Sequence, residues 1–181
     1  ALWPDPDAVV RDLGLQSQMA VLDVCCGDGR FTPALCRRAS PGGVLAIDLD
    51  AGELALARSA CAAENCDNVS FVEGDVSDLS LLVSDPQDYV FIANTFHGIP
   101  DKVAFARGVR KVLKPGGRLV IVNWHDTPRE RTPVAGQPRG PANDMRLSPD
   151  ACAEAISAAG FVLNDLVELK PYHYGAVFIV S

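Results

Sequence analysis

The chain has 181 residues, 48% of them hydrophobic and 22% charged, with a formal net charge of −7. That balance fits one globular domain with a substantial core and excludes a disordered tract, a collagen-like repeat or a disulfide-rich mini-protein. The acidic surplus has the wrong sign for gripping a phosphate backbone, so nucleic acid is not expected as a partner. No apolar run reaches the ~18 residues of a membrane span, so no membrane is expected either.

In chain order, residues 4–14 begin with helix-start residues, carry an apolar stripe and close on Gly14, which predicts a lead-in helix within 1–14. Ala20-Val21-Leu22-Asp23-Val24 is apolar but for Asp23, the pattern of a strand buried on both faces of a parallel sheet. A Gly-rich turn follows. Phe31 to Ala39 is helical in pattern, with Pro33 suited to the first turn, and Pro41-Gly42-Gly43 ends it. A second strand over 44–48, a second helix from Asp50 to Glu64, a third strand over 69–72 and a fourth over 89–93 continue the alternation.

A helix from Asp101 to Leu113 then precedes the turn Pro115-Gly116-Gly117 and a fifth strand, Arg118 to Trp124. Ser148-Pro149 opens a last helix to Ala159, stopped by Gly160. Two strands, 161–170 and 176–180, close the chain, joined by a turn holding Tyr172, His173 and Tyr174 that needs no crossover helix, so an antiparallel last strand is expected. Residues 1–181 are therefore expected to form one α/β domain, a three-layer α/β/α sandwich with a Rossmann-like, seven-stranded, mostly parallel sheet. Residues 126–147, rich in Pro and Arg and without periodicity, form a candidate substrate loop.

The six cysteines, Cys25, Cys26, Cys36, Cys61, Cys66 and Cys152, include no Cys-x-x-Cys pair. Most are expected to be small core residues, with no metal implied. With no basic stretch leading into an apolar run at the start, the expected location is the cytoplasm.

Polar residues stand at successive strand ends: Asp23 to Gly29 after the first, Asp48 after the second, Asp75 after the third and Asn94 after the fourth. Ligands of such sheets bind at the carboxyl ends of the strands. Glycines admit a ligand close to the backbone, and a carboxylate suits ribose hydroxyls. Taken singly, Asp23 and Asp75 have a plain alternative as capping residues, and the glycines as turn residues.

The run Val21-Leu22-Asp23-Val24-Cys25-Cys26-Gly27-Asp28-Gly29-Arg30-Phe31 resembles the first motif of the class I S-adenosylmethionine-dependent methyltransferases. Leu45-Ala46-Ile47-Asp48-Leu49-Asp50 resembles their ribose motif, Phe71-Val72-Glu73-Gly74-Asp75-Val76 their adenine motif, and Val112 to Leu119 their turn before strand five. The likeness is to the small type related to the quinone-biosynthesis methyltransferases and covers nearly the whole chain. It implies S-adenosylmethionine as cofactor, S-adenosylhomocysteine as product and a small-molecule methyl acceptor.

Carried over, the resemblance gives Asp48 the ribose hydroxyls, Leu49 a face of adenine, and Asp75 with the Val76 backbone the adenine amine. Gly27 and Gly29, beside Cys25 and Cys26, admit the methionine moiety. Asp23 orders its amino-acid end, and Asn94 and Thr95 border the transferred methyl. Cys25 stands where the family usually has Gly, so the backbone there must accept a Cβ. His97 is a candidate general base. Trp124, Arg129 and Arg139 are candidates for substrate contact, with packing of Trp124 against the last helix as its alternative.

A homodimer is a further expectation. A nicotinamide enzyme would need a third glycine at position 32, where Thr32 stands. A silent cofactor-binding partner module is the alternative from a different class. Arsenic methylation at Cys25 and Cys26 is not expected, since adjacent side chains there point apart.

Overall fold

The structure, a computed structural model, describes residues 4–181. The first three residues of the expected lead-in segment lie outside the described residues. Helix α1 (Pro6–Asp12) starts on a proline, whose fixed φ suits a first turn. It leads to strand β1 (Val21–Val24), helix α2 (Thr32–Ala39), strand β2 (Val44–Asp48), helix α3 (Ala51–Ala63) and strand β3 (Val69–Glu73). Helix α4 (Leu79–Leu82), strand β4 (Gln87–Ala93), helix α5 (Lys102–Val112) and strand β5 (Leu113–Trp124) follow. After a short hairpin of β6 (Pro133–Val134) and β7 (Gln137–Pro138) come α6 (Pro149–Ser157), β8 (Phe161–Leu169) and β9 (His173–Val180).

The main sheet has seven strands in the order β3-β2-β1-β4-β5-β9-β8. Strands β1 to β5 pair in parallel, whereas β9 runs antiparallel to both β5 and β8. The order reverses at β1, between β2 and β4, so the crevice of the sheet lies above the end of β1.

Alternation along the strands divides the core. Leu22, Val24, Val90, Ile92, Leu119 and Ile121 face a layer that contains Leu79, Phe105, Val109 and Ile156 from α4, α5 and α6. Val21, Tyr89, Phe91, Val120 and Val122 face the layer of Val9, Val10, Leu35 and Cys61 from α1, α2 and α3. Burial of each such large aliphatic or aromatic side chain contributes about 1.5–3 kcal/mol, which makes the two apolar layers the main support of the strand ends.

Three local expectations are corrected. Leu113 pairs with Gln87, so β5 begins before the Pro115-Gly116-Gly117 turn and carries it as an irregularity. His173 and Tyr174, expected in the last turn, belong to β9 and are buried, since their register against Trp124 and Asn123 carries them onto the sheet. The segment 126–147 is more structured than its lack of periodicity implies, holding the hairpin and two 3-10 turns, Arg129–Arg131 and Asn143–Met145.

Arg146 organises that segment. It is buried, its Nη2 donates to the Thr132 hydroxyl at 2.9 Å and the Arg139 carbonyl at 2.8 Å, and its Nη1 and Nε reach the carbonyls of His125 and Pro141. Its guanidinium also lies 5.3 Å over the Trp124 ring. Arg146→Ala leaves those carbonyls without their cationic donor, which is expected to speed proteolytic cleavage within 129–146 about tenfold while the sheet stays intact. Limited proteolysis with mass mapping checks this.

Candidate functional site

The turn after β1 is shaped by three residues in the left-handed region: Cys25 at φ 55°, Gly27 at 54° and Gly29 at 84°. At Gly29 the conformation is demanded twice, because an added Cβ would also lie 2.6 Å from the Ala57 Cα on α3. Cys25 adopts the same region with a side chain, which stores strain of order 1 kcal/mol and explains why a glycine suits the position. The turn is tied to β2 by the Cys26 N–H donating to the Ile47 carbonyl at 3.1 Å.

Asp48 finishes β2 and holds the crevice together. Its Oδ2 accepts from the Gly27 N–H at 2.8 Å and its Oδ1 from the Asp50 N–H at 3.0 Å. Asp50 in turn caps α3 by accepting from the Gly52 and Glu53 N–H groups. Leu49 beside it is 69% exposed, a large apolar side chain held in the open. Past β3, Asp75 accepts from the Ser77 N–H at 2.8 Å and caps the 3-10 turn Val76–Asp78, so its capping alternative is realised. A cleft of about 230 Å³ runs beside it, lined by Asp75, Val76, Ser77, Ile99, Pro100 and Phe105.

A second cleft, about 170 Å³, brings together Asp23, Cys25, Cys26, Gly27, Asn94 and Thr95. Asp23 is 3% exposed and accepts from the Thr32 hydroxyl at 2.7 Å. Burial pushes its carboxyl up to about 7, opposed by the Thr32 hydrogen bond and reinforced by the Asp48 charge. Burial also drives the Cys25 thiol up to about 12 and that of Cys26 upward, so neither supplies a thiolate. Asn94 follows β4 at φ 58°, and among the described residues its buried Oδ1 has no hydrogen-bond partner.

His97 sits in the 3-10 turn Phe96–Gly98, with the Lys102 ammonium donating to its carbonyl and to that of Ile99. Its Nδ1 lies 3.0 Å from the Asn123 Oδ1 on β5. An amide oxygen only accepts, so in this contact Nδ1 is the donor and Asn123 orients the ring. Asn123 had no signal in the sequence beyond its place near the end of a buried strand; its pairing with His97 is made by the fold alone.

The residues expected at the substrate fare differently. Trp124 is 3% exposed, stacked on Tyr172, tilted against His173 and covered by Arg146, so packing accounts for it, although its partners are the last turn, β9 and Arg146 rather than α6. Arg129 and Arg139 are exposed on the 126–147 segment and line neither cleft. Of the strand-end residues, Asp23, Cys25, Cys26, Gly27, Asn94 and Thr95 line one cleft and Asp75 and Val76 the other, whereas Gly29, Asp48, Leu49 and His97 line neither.

The donor set suits a nucleoside sulfonium. Carboxyl groups at Asp23, Asp48 and Asp75 complement its positive charge, Gly27 leaves the backbone open at the cleft, and Asn94, whose buried Oδ1 has no partner among the described residues, lines it.

Residues 21–117 match the family model described as a methyltransferase domain. The chain is 34% identical over 130 residues to a demethylmenaquinone methyltransferase of Staphylococcus aureus, the match covering 71% of this chain and 52% of that protein. It thus spans about half the length of the curated relatives it matches. A SAM dependent methyltransferase from Aquifex aeolicus superposes with TM-score 0.86 at 25% identity, over 99% of this chain and 92% of that one. DhpI, solved as a complex with SAH, superposes with TM-score 0.72 at 26% identity, over 97% of this chain and 83% of that one. Seven-stranded topology, a strand-end crevice built for a nucleoside sulfonium and the family match over 21–117 lead to one conclusion: the chain belongs to the class I S-adenosylmethionine-dependent methyltransferases.

Proposed function

We propose that this chain, as a single domain, transfers a methyl group from S-adenosylmethionine to a small-molecule acceptor at the crevice above β1 and β4. The observation that carries the reading is Asn94, whose buried Oδ1 has no hydrogen-bond partner among the described residues and which lines one cleft with Asp23 and the Gly-rich turn. S-adenosylmethionine supplies a methyl group on a positively charged sulfur and leaves as S-adenosylhomocysteine.

The chain's own residues bind and orient. Asp48 accepts from the ribose hydroxyls, Leu49 covers one face of adenine, and Asp75 with the Val76 backbone takes its amine. Asp23 holds the amino-acid end while Gly27 and Gly29 let it approach, and Asn94 and Thr95 border the reacting methyl. Such positioning supplies roughly 7–11 kcal/mol of the barrier. His97, its ring oriented by the Nδ1 contact with Asn123, is the group that takes the acceptor's proton.

Arg129 and Arg139 meet an anionic part of the acceptor. The support is the packing of their segment at this mouth, where Met145 lies close enough to touch a Cβ placed on Gly98. Among the described residues no helix is long and apolar enough to cross a membrane. A second copy of the chain is the proposed partner for edge strand β8, which exposes Val162, Leu163 and Leu166. A monomeric mass at every concentration in sedimentation counts against that partner.

Asp23 gives the binding a pH signature. Folding raises its pKa from 3.8 to about 7, so its stabilising protonated form is complete below pH 3.8 and is lost as pH rises through 7. A cation at the amino-acid end favours the carboxylate and expels that proton. Affinity for S-adenosylmethionine is therefore expected to rise between pH 5 and 7 by up to about tenfold per unit, and Asp23→Asn to flatten the slope. Calorimetry across that range reads both.

Turnover is the test of the reaction itself. Steady S-adenosylhomocysteine production with one of a panel of hydroxyl, amine and enol acceptors is expected. Tight cofactor binding with no product from any acceptor overturns the proposal in favour of a silent binding module.

A further inference from the structure

Three cysteines outside the crevice converge. The Sγ atoms of Cys36, Cys61 and Cys66 all lie within 4.8 Å of one another. Cys36 is on the buried face of α2 and Cys61 on the buried face of α3. Cys66 is folded back over them, because Asn65 takes φ 56° and the Cys66 N–H donates to the Cys61 carbonyl at 3.0 Å. That is the helix-ending motif in which the residue after the left-handed one packs on the last turn. An apolar side chain ordinarily fills the place; here it is a third thiol.

The set has the chemistry of a soft-cation site. Three sulfurs around one ion at a metal–sulfur distance of about 2.3 Å stand about 4.0 Å apart, so small side-chain adjustments close the cluster. With no carboxylate or imidazole in the group, a hard cation is not served. Three thiolates around a divalent ion leave one negative charge, which the half-exposed side of Cys66 leaves open to solvent. Cys66 is only half-buried and gives the ion a way in, whereas Cys36 and Cys61 are buried. Without a cation, burial holds the Cys61 thiol up at about 11 and that of Cys36 upward, so these are not free nucleophiles.

We propose that Cys36, Cys61 and Cys66 form a three-thiolate site for a soft divalent d10 cation of the zinc and cadmium class, which clips α2 to α3. Binding exchanges three thiol protons for three metal–sulfur bonds and releases the protons to solvent, with water completing the coordination on the exposed side of Cys66. The clip joins the helices whose first turns carry Thr32 and Asp50, behind the crevice, and its formation is independent of cofactor and acceptor.

The test titrates the reduced, metal-free full chain with cadmium under inert gas, following the ultraviolet sulfur-to-cadmium band. Saturation at one equivalent, competition by zinc, and three sulfurs around cadmium by X-ray absorption are expected. Cys66→Ser, at a half-exposed position that keeps the helices intact, is expected to weaken binding about 100-fold, as is Cys36→Ala where circular dichroism shows it folded, whereas Cys152→Ala leaves binding unchanged. No band, fewer than three sulfurs, or a band that survives Cys66→Ser but vanishes with Cys26→Ser overturns the proposal.

Discussion

Replacing Asp48 by alanine is expected to weaken S-adenosylmethionine binding by about 100-fold or more. The carboxylate is held by the Gly27 N–H at 2.8 Å and the Asp50 N–H at 3.0 Å, which fix its plane at the end of β2. Two charge-assisted hydrogen bonds to ribose hydroxyls contribute roughly 1.5–3 kcal/mol each, so losing both costs at least two powers of ten in affinity. The substitution also frees the Gly27 N–H and loosens the turn, adding to the loss. Asp48→Asn keeps an acceptor and the shape but not the charge, and is expected to fall between the two. Titration calorimetry with S-adenosylhomocysteine orders the three; affinity indifferent to Asp48→Ala would remove the ribose role.

Gly29→Ala is expected to damage the fold itself. The new Cβ would meet the Ala57 Cα at 2.6 Å and its Cβ at 2.9 Å, and the backbone at φ 84° resists a side chain. Backbone atoms of α3 cannot rotate away, so the turn and α3 must separate. Overpacking with left-handed strain is expected to cost about 2–4 kcal/mol, lowering the melting temperature by roughly 5–15 °C for a chain of this size. Cofactor binding should fall with it, because the same turn lines the cleft beside Asp23 and Asn94. Urea unfolding with and without S-adenosylhomocysteine separates the two losses. Gly116→Ala is the control, since a Cβ there meets nothing within 4 Å and bears only the strain of its φ of 78°.

The main sheet was legible because its signals are local. Continuous apolar runs such as Val44 to Ile47 specify buried parallel strands, and each strand end advertises its ligand chemistry through one acid or glycine. The positions of Asp48 and Asp75 could be read that way, since each follows directly from its place after a strand rather than from distant contacts. What escaped is what distant residues decide. Asn123 looks like any strand residue until β4 and β5 pair and bring His97 to 3.0 Å.

Arg146 belongs to a segment legible only as rich in Pro and Arg, and its carbonyl partners come from Pro141, Arg139 and His125, a convergence no spacing rule encodes. Trp124 likewise gained its stacking partners from β9 and the turn before it. Cys36 and Cys61 lie on different helices, and Cys66 reaches them only through the left-handed Asn65, so the thiol cluster has no linear motif. Short elements such as α4 and the β6-β7 hairpin are too brief to carry a period.

The most direct measurement is calorimetric titration of the chain with S-adenosylmethionine, S-adenosylhomocysteine and NAD side by side. One site for each of the first two, sensitive to Asp48→Ala, with no heat from NAD, is the expected result. Binding of NAD, or no binding of either S-adenosyl compound by the folded protein, would contradict it.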